Sequence, residues 1–555
     1  MRPRSASLDH VTEDTPLILR RFPTIDFDTR GTSWLKEESI RKDKVGDAWH
    51  NLTTGFDTGV LHYPVISLIP SIIIILVMWN IKPLDGLTST SMHALSVFSG
   101  FVFALLFSQY EVSALVAFAL AILAISKNFI CTASGGKRID CHLCGTDGYA
   151  CDGYKSAFHV AVSGLSSDIV WLVFCAFHIG KAVEVSGFGK RIALHLISLM
   201  GKTPLGLGMS FCLAEFVLAP FIPSNSARGG GVVAPIVTSV IEVINSNGAG
   251  SDSTNAFLIL VAAQANLISS SLFLTGQAPN PLVSEKAMHV FNIHFGFMGW
   301  LTGNFLPGFS TLLIMPVFLF YLLKPKSYDG TALLNVINDQ LDDIGPLSWR
   351  EWKLVIVLLS CLTFWSTESH TGLNNALIAF MGLVIMLLTD VITWEEVSKN
   401  TKAWDTLFWL GGFIVIAEQL SLLNVTDWIG QKISSVLIMY SFSPIGGAVT
   451  LGILYFFSMY MFSSSTGHIV ALVGPFFEAG DALKCPPRLL IPLIAYFGSL
   501  CCCLTSYSTG ALAIYFGQGH VSRSRWFLLG IYLGFLYITI YLTLGMGWWK
   551  LLGWW

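Results

Sequence analysis

A helix that crosses a bilayer needs about 20 mostly apolar residues, and this chain supplies such stretches repeatedly with scarcely a charge inside them. Plain examples cover 63–81, 92–109, 112–130, 169–185, 305–323, 354–365, 377–391, 407–422 and 527–544. Only 12% of the residues are charged and 53% are hydrophobic, whereas a soluble globular chain carries about 25% charged residues. One soluble core of this size would also break the usual division into domains of about 100–200 residues. The sequence therefore predicts an all-α, polytopic, multi-pass membrane protein. A formal net charge of −3 over 555 residues carries no signature of a nucleic-acid partner, and the expected surroundings are a lipid bilayer.

The first sixty residues differ in kind. They mix acids, bases and prolines without the 7–15-residue apolar core of a secretory signal. Asp9, Glu13, Asp14, Asp26 and Asp28 argue against an acid-poor transit peptide. Too polar to offset the entropy of ordering, residues 1–60 are expected to form a disordered tail. Its basic residues, among them Arg2, Arg4, Arg20, Arg21, Arg30, Arg41, Lys42 and Lys44, place it on the cytoplasmic side by the positive-inside rule. Whether the membrane is the plasma membrane or that of an organelle is left open.

Four further apolar stretches, 205–243, 256–290, 446–478 and 489–517, are interrupted by Gly, Pro, Ser and Asn. Each is too long for one span and too broken for an ordinary pair. Lys190/Arg191/Lys202, Lys324/Lys326, Lys399/Lys402 and Arg523/Arg525 all fall on the inside if 205–243 and 446–478 are re-entrant hairpins. The broken segments also recur in order. A span containing Ser167-Asp168-Ile169-Val170-Trp171 precedes one pair, and a span containing Trp404-Asp405-Thr406-Leu407-Phe408-Trp409 precedes the other. Matched interrupted segments in two halves point to a transporter binding site. The expected organisation is a first repeat over 61–323, with hairpin 205–243 and discontinuous helix 256–290. A cytoplasmic linker over 324–350 follows, then a second repeat over 351–546 with hairpin 446–478 and discontinuous helix 489–517.

Ser224-Asn225-Ser226-Ala227-Arg228-Gly229-Gly230-Gly231 lies between two apolar arms, 205–222, which Pro220 breaks, and 232–243, which reads as too short to span. At such a tip the unpaired amides of a helix N-terminus attract an anion. The hydroxyls and the Asn225 amide offer donors to a carboxylate and acceptors to a cation. Ser464-Ser465-Thr466, with His468, occupies the matching place in the other half. Arg228 could pair bidentately with a carboxylate or snorkel to the headgroups. His468 reads as a proton-sensitive ligand or as a satisfied polar residue capping a half-helix. Glu215 and Glu478, in apolar company, are candidates for proton coupling or for buried structural carboxyls.

The stretch from Glu215 to Gly230, EFVLAPFIPSNSARGG, resembles the signature of the divalent anion/sodium symporter family. It is most similar to the branch of citrate/succinate antiporters and plastid 2-oxoglutarate/malate translocators. Phe273-Leu-Thr-Gly-Gln-Ala-Pro-Asn-Pro-Leu282, Ser464-Ser-Thr-Gly-His468, and Thr509-Gly510 with Tyr515-Phe516-Gly517 extend the resemblance, in order, over about 63–544. It implies about eleven transmembrane helices plus two re-entrant hairpins in an inverted repeat, a homodimer, and an elevator-type shift of the site. It further implies that the cargo is a di- or tricarboxylate such as malate, succinate, 2-oxoglutarate or citrate. Substrate contacts would come from Ser224, Asn225, Ser226, Arg228, Gln277, Ser464, Ser465, Thr466 and Thr509. A coupling cation would be held by Ser224, Asn225, Gly276, Ser465 and Ser508. Ser465 stands where sodium-coupled members have Asn, and Ser226 where they have Thr. The lost amide removes a coordinating oxygen, so anion exchange stands beside symport with sodium as the coupling ion, and no cofactor is expected.

Cys131, Cys141, Cys144 and Cys151 share one polar insert with His142. A zinc site and disulfides both suit the spacing. The expected extracytoplasmic side favours disulfides, of undetermined connectivity. Within transport, sulfate or another inorganic divalent anion is the alternative cargo. No H-E-x-x-H, Asp pair or Ser/His elbow supports an enzyme, and two unlike tips suit an occluded site better than a channel filter.

Overall fold

A computed structural model of the chain describes residues 67–555 apart from 109, 134–135, 147–148, 150, 247–249 and 440–442. The expected tail over 1–60 lies outside the described residues. The first helices are α1 (Ile69–Trp79), α2 (Ser89–Phe107) and α3 (Val112–Ile125). A two-stranded antiparallel hairpin follows, β1 (Ile130–Thr132) on β2 (Arg138–Asp140), with Cys131 opposite Ile139. Disulfides join Cys131 to Cys141 and Cys144 to Cys151, so neither pair is available to a metal.

Next come α4 (Gly153–Ser163), α5 (Asp168–Val185), α6 (Phe188–Met200) and α7 (Pro204–Leu218). The chain then turns through 219–225 into a wide helical turn, Ser226–Val233, that runs on as α8 (Ala234–Ser246). The second arm is thus longer than the sequence suggested: Ser226–Ser246 is a 21-residue apolar helix. Glycine is what allows it. A Cβ on Gly229 would come within 2.6 Å of Asn266 Nδ2, and one on Gly230 within 2.4 Å of Ile514 Cδ1, so the turn packs with its backbone where a side chain would not fit.

Helix α9 (Asp252–Leu272) is buried along the whole run from Thr254 to Leu272. Several of its buried polar groups are matched, although Asn255 Oδ1 and Asn266 Oδ1 have no protein donor. Ser271 O accepts from Trp300 Nε1 at 2.8 Å and Asn304 Nδ2 at 2.7 Å, and Tyr537 Oη donates to Gln264 Oε1 at 3.0 Å. A buried polar group without such a partner would cost roughly 1–3 kcal/mol. A break at 273–279 leads to α10 (Asn280–Phe291), and α11 (Phe297–Leu323), α12 (Gly330–Ile344), α13 (Trp349–Ser366), α14 (Asn375–Leu388), α15 (Thr401–Leu422) and α16 (Val425–Met439) follow.

The last fifth of the chain repeats an earlier order: α17 (Pro444–Phe457), a tip at 462–464, α18 (Ser465–Ala482), α19 (Pro487–Leu500), a break at 505–509 and α20 (Gly510–Gly517). Helices α21 (Arg523–Ile540) and α22 (Met546–Leu551) close the chain. Local chemistry sets the ends of the two arms in the same way. Thr203 caps α7 by accepting from Gly206 N at 3.1 Å, and Ser443 caps α17 by accepting from Gly446 N at 3.1 Å. Each cap precedes a proline at the first helical position, where the missing N–H costs nothing.

Among the described residues, seven helices are long and apolar enough to cross a membrane, and five shorter ones are apolar. Ile73, Leu76, Ile356, Leu359, Phe380 and Leu388 point outward, as a lipid-facing surface requires. The protein is an integral, multi-pass membrane protein.

Candidate functional site: a cavity between two tips

The two tips reach one cavity of about 210 Å³. Ser224, Asn225 and Ser226 line it from the first tip, Gln277, Ala278 and Pro279 from the first break, and Ser465 and Thr466 from the second tip. The far wall is built by Phe177 on α5 and by Lys402, Asp405, Thr406 and Trp409 on α15.

At each tip the first serine is spent on the backbone. Ser224 Oγ accepts from Ala227 N and Ser464 Oγ from Gly467 N, each at 3.1 Å. Ser464 is accordingly a helix cap and does not line the cavity. Ser465 N donates to Ser508 O at 2.8 Å, fixing the second tip to the second break, while Thr466 N has no backbone acceptor. That amide opens α18 with its partial positive charge on the cavity side.

Gln277 is oriented by its neighbour. Asn280 Nδ2 donates to Ser270 O at 2.9 Å and to Phe273 O at 3.0 Å, so Asn280 Oδ1 is the acceptor for Gln277 Nε2 at 2.8 Å. The atom left over is Gln277 Oε1, buried and without a protein donor. An acceptor in that position suits a hydroxyl or a cation and not a carboxylate oxygen.

Arg228 departs from expectation. It does not line the cavity and is fully buried behind the tip. Nε donates to Glu215 Oε2 at 2.7 Å, and Nη1 to the carbonyls of Ile222 and Gly276 at 2.7 and 2.9 Å. Nη2 reaches Asn266 O, Ser269 Oγ and Ser270 Oγ at 3.3, 3.1 and 2.6 Å. With every N–H engaged by protein, the guanidinium has no fork to offer a ligand; it ties tip, break and α9 together. Glu215, which also accepts from Asn266 Nδ2 at 3.1 Å and Ser269 Oγ at 3.2 Å, is its structural counter-ion.

Thr509 is likewise a cap, accepting from Leu512 N at 3.2 Å, and Ser508 Oγ donates to Cys502 O at 3.1 Å. Gly276 lends its carbonyl to Arg228, and none of these three lines the cavity. His468 Nε2 is held between Ser458 Oγ at 2.8 Å and Tyr455 O at 3.1 Å, as a capping residue would be. Glu478 lies beside Asp427 and Lys286, away from the cavity. The α15 wall was not singled out from sequence. Its signal is there: Lys402, Asp405, Thr406 and Trp409 fall at i, i+3, i+4 and i+7, one face of a helix.

The profile of the sodium:sulfate symporter transmembrane region matches residues 62–555. The chain belongs to that family. It is therefore a membrane transporter and not an enzyme. Over 494 residues it is 30% identical to the citrate/succinate antiporter of Escherichia coli K12, covering 88% of this chain and 98% of that one. Over 400 residues it is 32% identical to chloroplastic dicarboxylate transporter 1 of Spinacia oleracea, covering 72% and 70%. The solved structure of Neisseria gonorrhoeae MtrF shares the fold, with a TM-score of 0.50 at 14% identity over 81% of this chain and 97% of that one.

Proposed function

We propose that this member of the symporter family is a secondary active transporter of di- or tricarboxylates of the malate, succinate, 2-oxoglutarate and citrate class. One observation carries the reading: hydroxyls, an amide and a free helix N-terminus from two separate tips line a single cavity. A ligand with an anionic group at each end can use both clusters, and a monoanion only one. The naming of two relatives for citrate/succinate and dicarboxylates supports the same class. Around this site we read the tips as two re-entrant hairpins within about eleven spans arranged as an inverted repeat. An elevator-type shift, a homodimer and a cytoplasmic N-terminus complete the reading. Anion exchange is the favoured mode, since Ser465 supplies no amide oxygen for sodium.

Purified protein in liposomes loaded with dicarboxylate should take up succinate or malate by counter-exchange, at the same rate with sodium or choline outside. A charge-assisted hydrogen bond is worth about 1.5–3 kcal/mol. Asn225→Ala and Thr466→Ala should therefore each depress uptake about tenfold or more while leaving abundance intact. Parent-like transport by both variants would defeat the reading, as would no uptake under any sodium, proton or anion gradient.

A further inference from the structure

We propose that Lys402 is the charge partner of the cargo, meeting from the opposite wall one of the two carboxylates that the uncharged tips hold by hydrogen bonds alone. The assignment rests on the dicarboxylate reading above and adds to it a residue outside the tips and breaks.

The tip side of the cavity is neutral. Ser224, Asn225, Ser226, Gln277, Ser465 and Thr466 carry hydroxyls and amides, and Arg228, the charge nearest in sequence, is consumed by Glu215 and five further oxygens. Lys402 is the one cation among the described lining residues. Its charged neighbours on the helix are engaged elsewhere. Lys399, one turn earlier, pairs with Glu395 at 2.5 Å. Asp405, one turn later, accepts from the hydroxyl of Ser113 on α3. Among the described residues Lys402 forms no ion pair, not even with Asp405, the carboxylate that lines the same cavity beside Ser113, so the ammonium is left to meet an anion. Position adds to charge. Lys402 stands in the first turn of α15, a turn without an acidic residue or a side-chain cap, so the positive end of the helix augments its field.

The chemistry matches a class and not one molecule. An ammonium on a four-carbon stem is a mobile point charge. It can meet a distal carboxylate at different separations from the first, as a set of four- to six-carbon acids requires. The face that carries Lys402 also carries Trp409, whose ring offers apolar contact to a methylene chain between two carboxylates.

The test compares succinate with succinamate, its monoamide, which keeps length and shape and loses one charge. In proteoliposomes of the full chain, labelled succinate uptake is measured against each as competitor for the parent, Lys402→Met, Lys402→Arg and Lys399→Met. The parent should prefer succinate. Lys402→Met should weaken succinate about tenfold or more and leave succinamate nearly unchanged, so that the preference collapses. Lys402→Arg should retain it, and Lys399→Met should behave as the parent. Lys402 is exposed, so these changes leave the fold alone, which chromatography in detergent verifies. A parent that moves succinate beside a Lys402→Met variant with undiminished preference overturns this assignment alone. A parent that moves no dicarboxylate removes the functional reading and this assignment with it.

Discussion

Arg228 sits two residues from the cavity-lining Ser226, yet its guanidinium is wholly occupied by Glu215, two backbone carbonyls of loop residues and three oxygens of α9. Breaking such a pair strands an uncompensated charge in the interior and costs about 3–5 kcal/mol. Arg228→Ala should therefore lower the amount of folded protein; Arg228→Lys should lower it less, because it keeps a positive charge opposite Glu215, but not restore it, because an ammonium has fewer donors and no planar fork. The fraction that folds should keep the parent's half-saturating concentration for succinate. A variant with full abundance and a raised half-saturating concentration would instead return Arg228 to the binding site. The sequence showed this arginine inside a polar motif but not which way it faced. Facing is decided by α9, whose Asn266, Ser269 and Ser270 lie about forty residues on, a separation that no local pattern records.

At the scale of elements, the wall that faces the tips is positioned by one close crossing. A Cβ on Gly164, in the turn before α5, would lie 2.0 Å from Gly411 O on α15. Backbone atoms cannot yield as a flexible side chain can, so Gly164→Ala should separate α15 from its support. We expect a loss of about 1–3 kcal/mol, the usual range for overpacking, seen as a lower melting temperature in detergent, together with a fall in transport greater than the fall in abundance. Loss of stability with unchanged turnover per folded molecule would separate this crossing from the site. Most helices were legible as apolar runs, and the interruptions as Gly, Pro and Ser. The length of the second arm was not, because Gly229, Gly230 and Gly231 read as a breaker. In the fold they continue a helix, where tight packing against Asn266 and Ile514 overrides intrinsic preference. The α15 face was missed for another reason: Lys402 reads equally well as a positive-inside loop charge.

For the whole molecule, the described chain is a helical body around α9 with one small covalently closed insert. The Cys131–Cys141 and Cys144–Cys151 bonds span ten and seven residues, and closing loops of that size restricts the unfolded chain by about 2.5 kcal/mol each. No described residue of the insert lines the cavity. Replacing Cys144 and Cys151 together with serine should thus lower thermal stability by an amount of that order while leaving the succinate-to-succinamate preference untouched. Peptide mapping without reductant should recover the two bonds in the parent. Recovery of four free thiols, or a changed preference in the variant, would contradict this.

The Arg228 tie also bears on how the cavity can be entered. A flap opens when one segment rotates while its neighbours stay still, which requires that few bonds cross its hinge. The first tip has no such freedom: Arg228 binds it to the first break and to α9, Asn266 Nδ2 grips Asn225 O at 3.1 Å, and Tyr515 Oη holds Gly229 O at 3.0 Å. Among the described residues no comparable strap runs from Asn225 or Ser226 across to the far wall. We propose that the first tip, the first break and α9 therefore travel together past α15, as one braced body rather than as a flap.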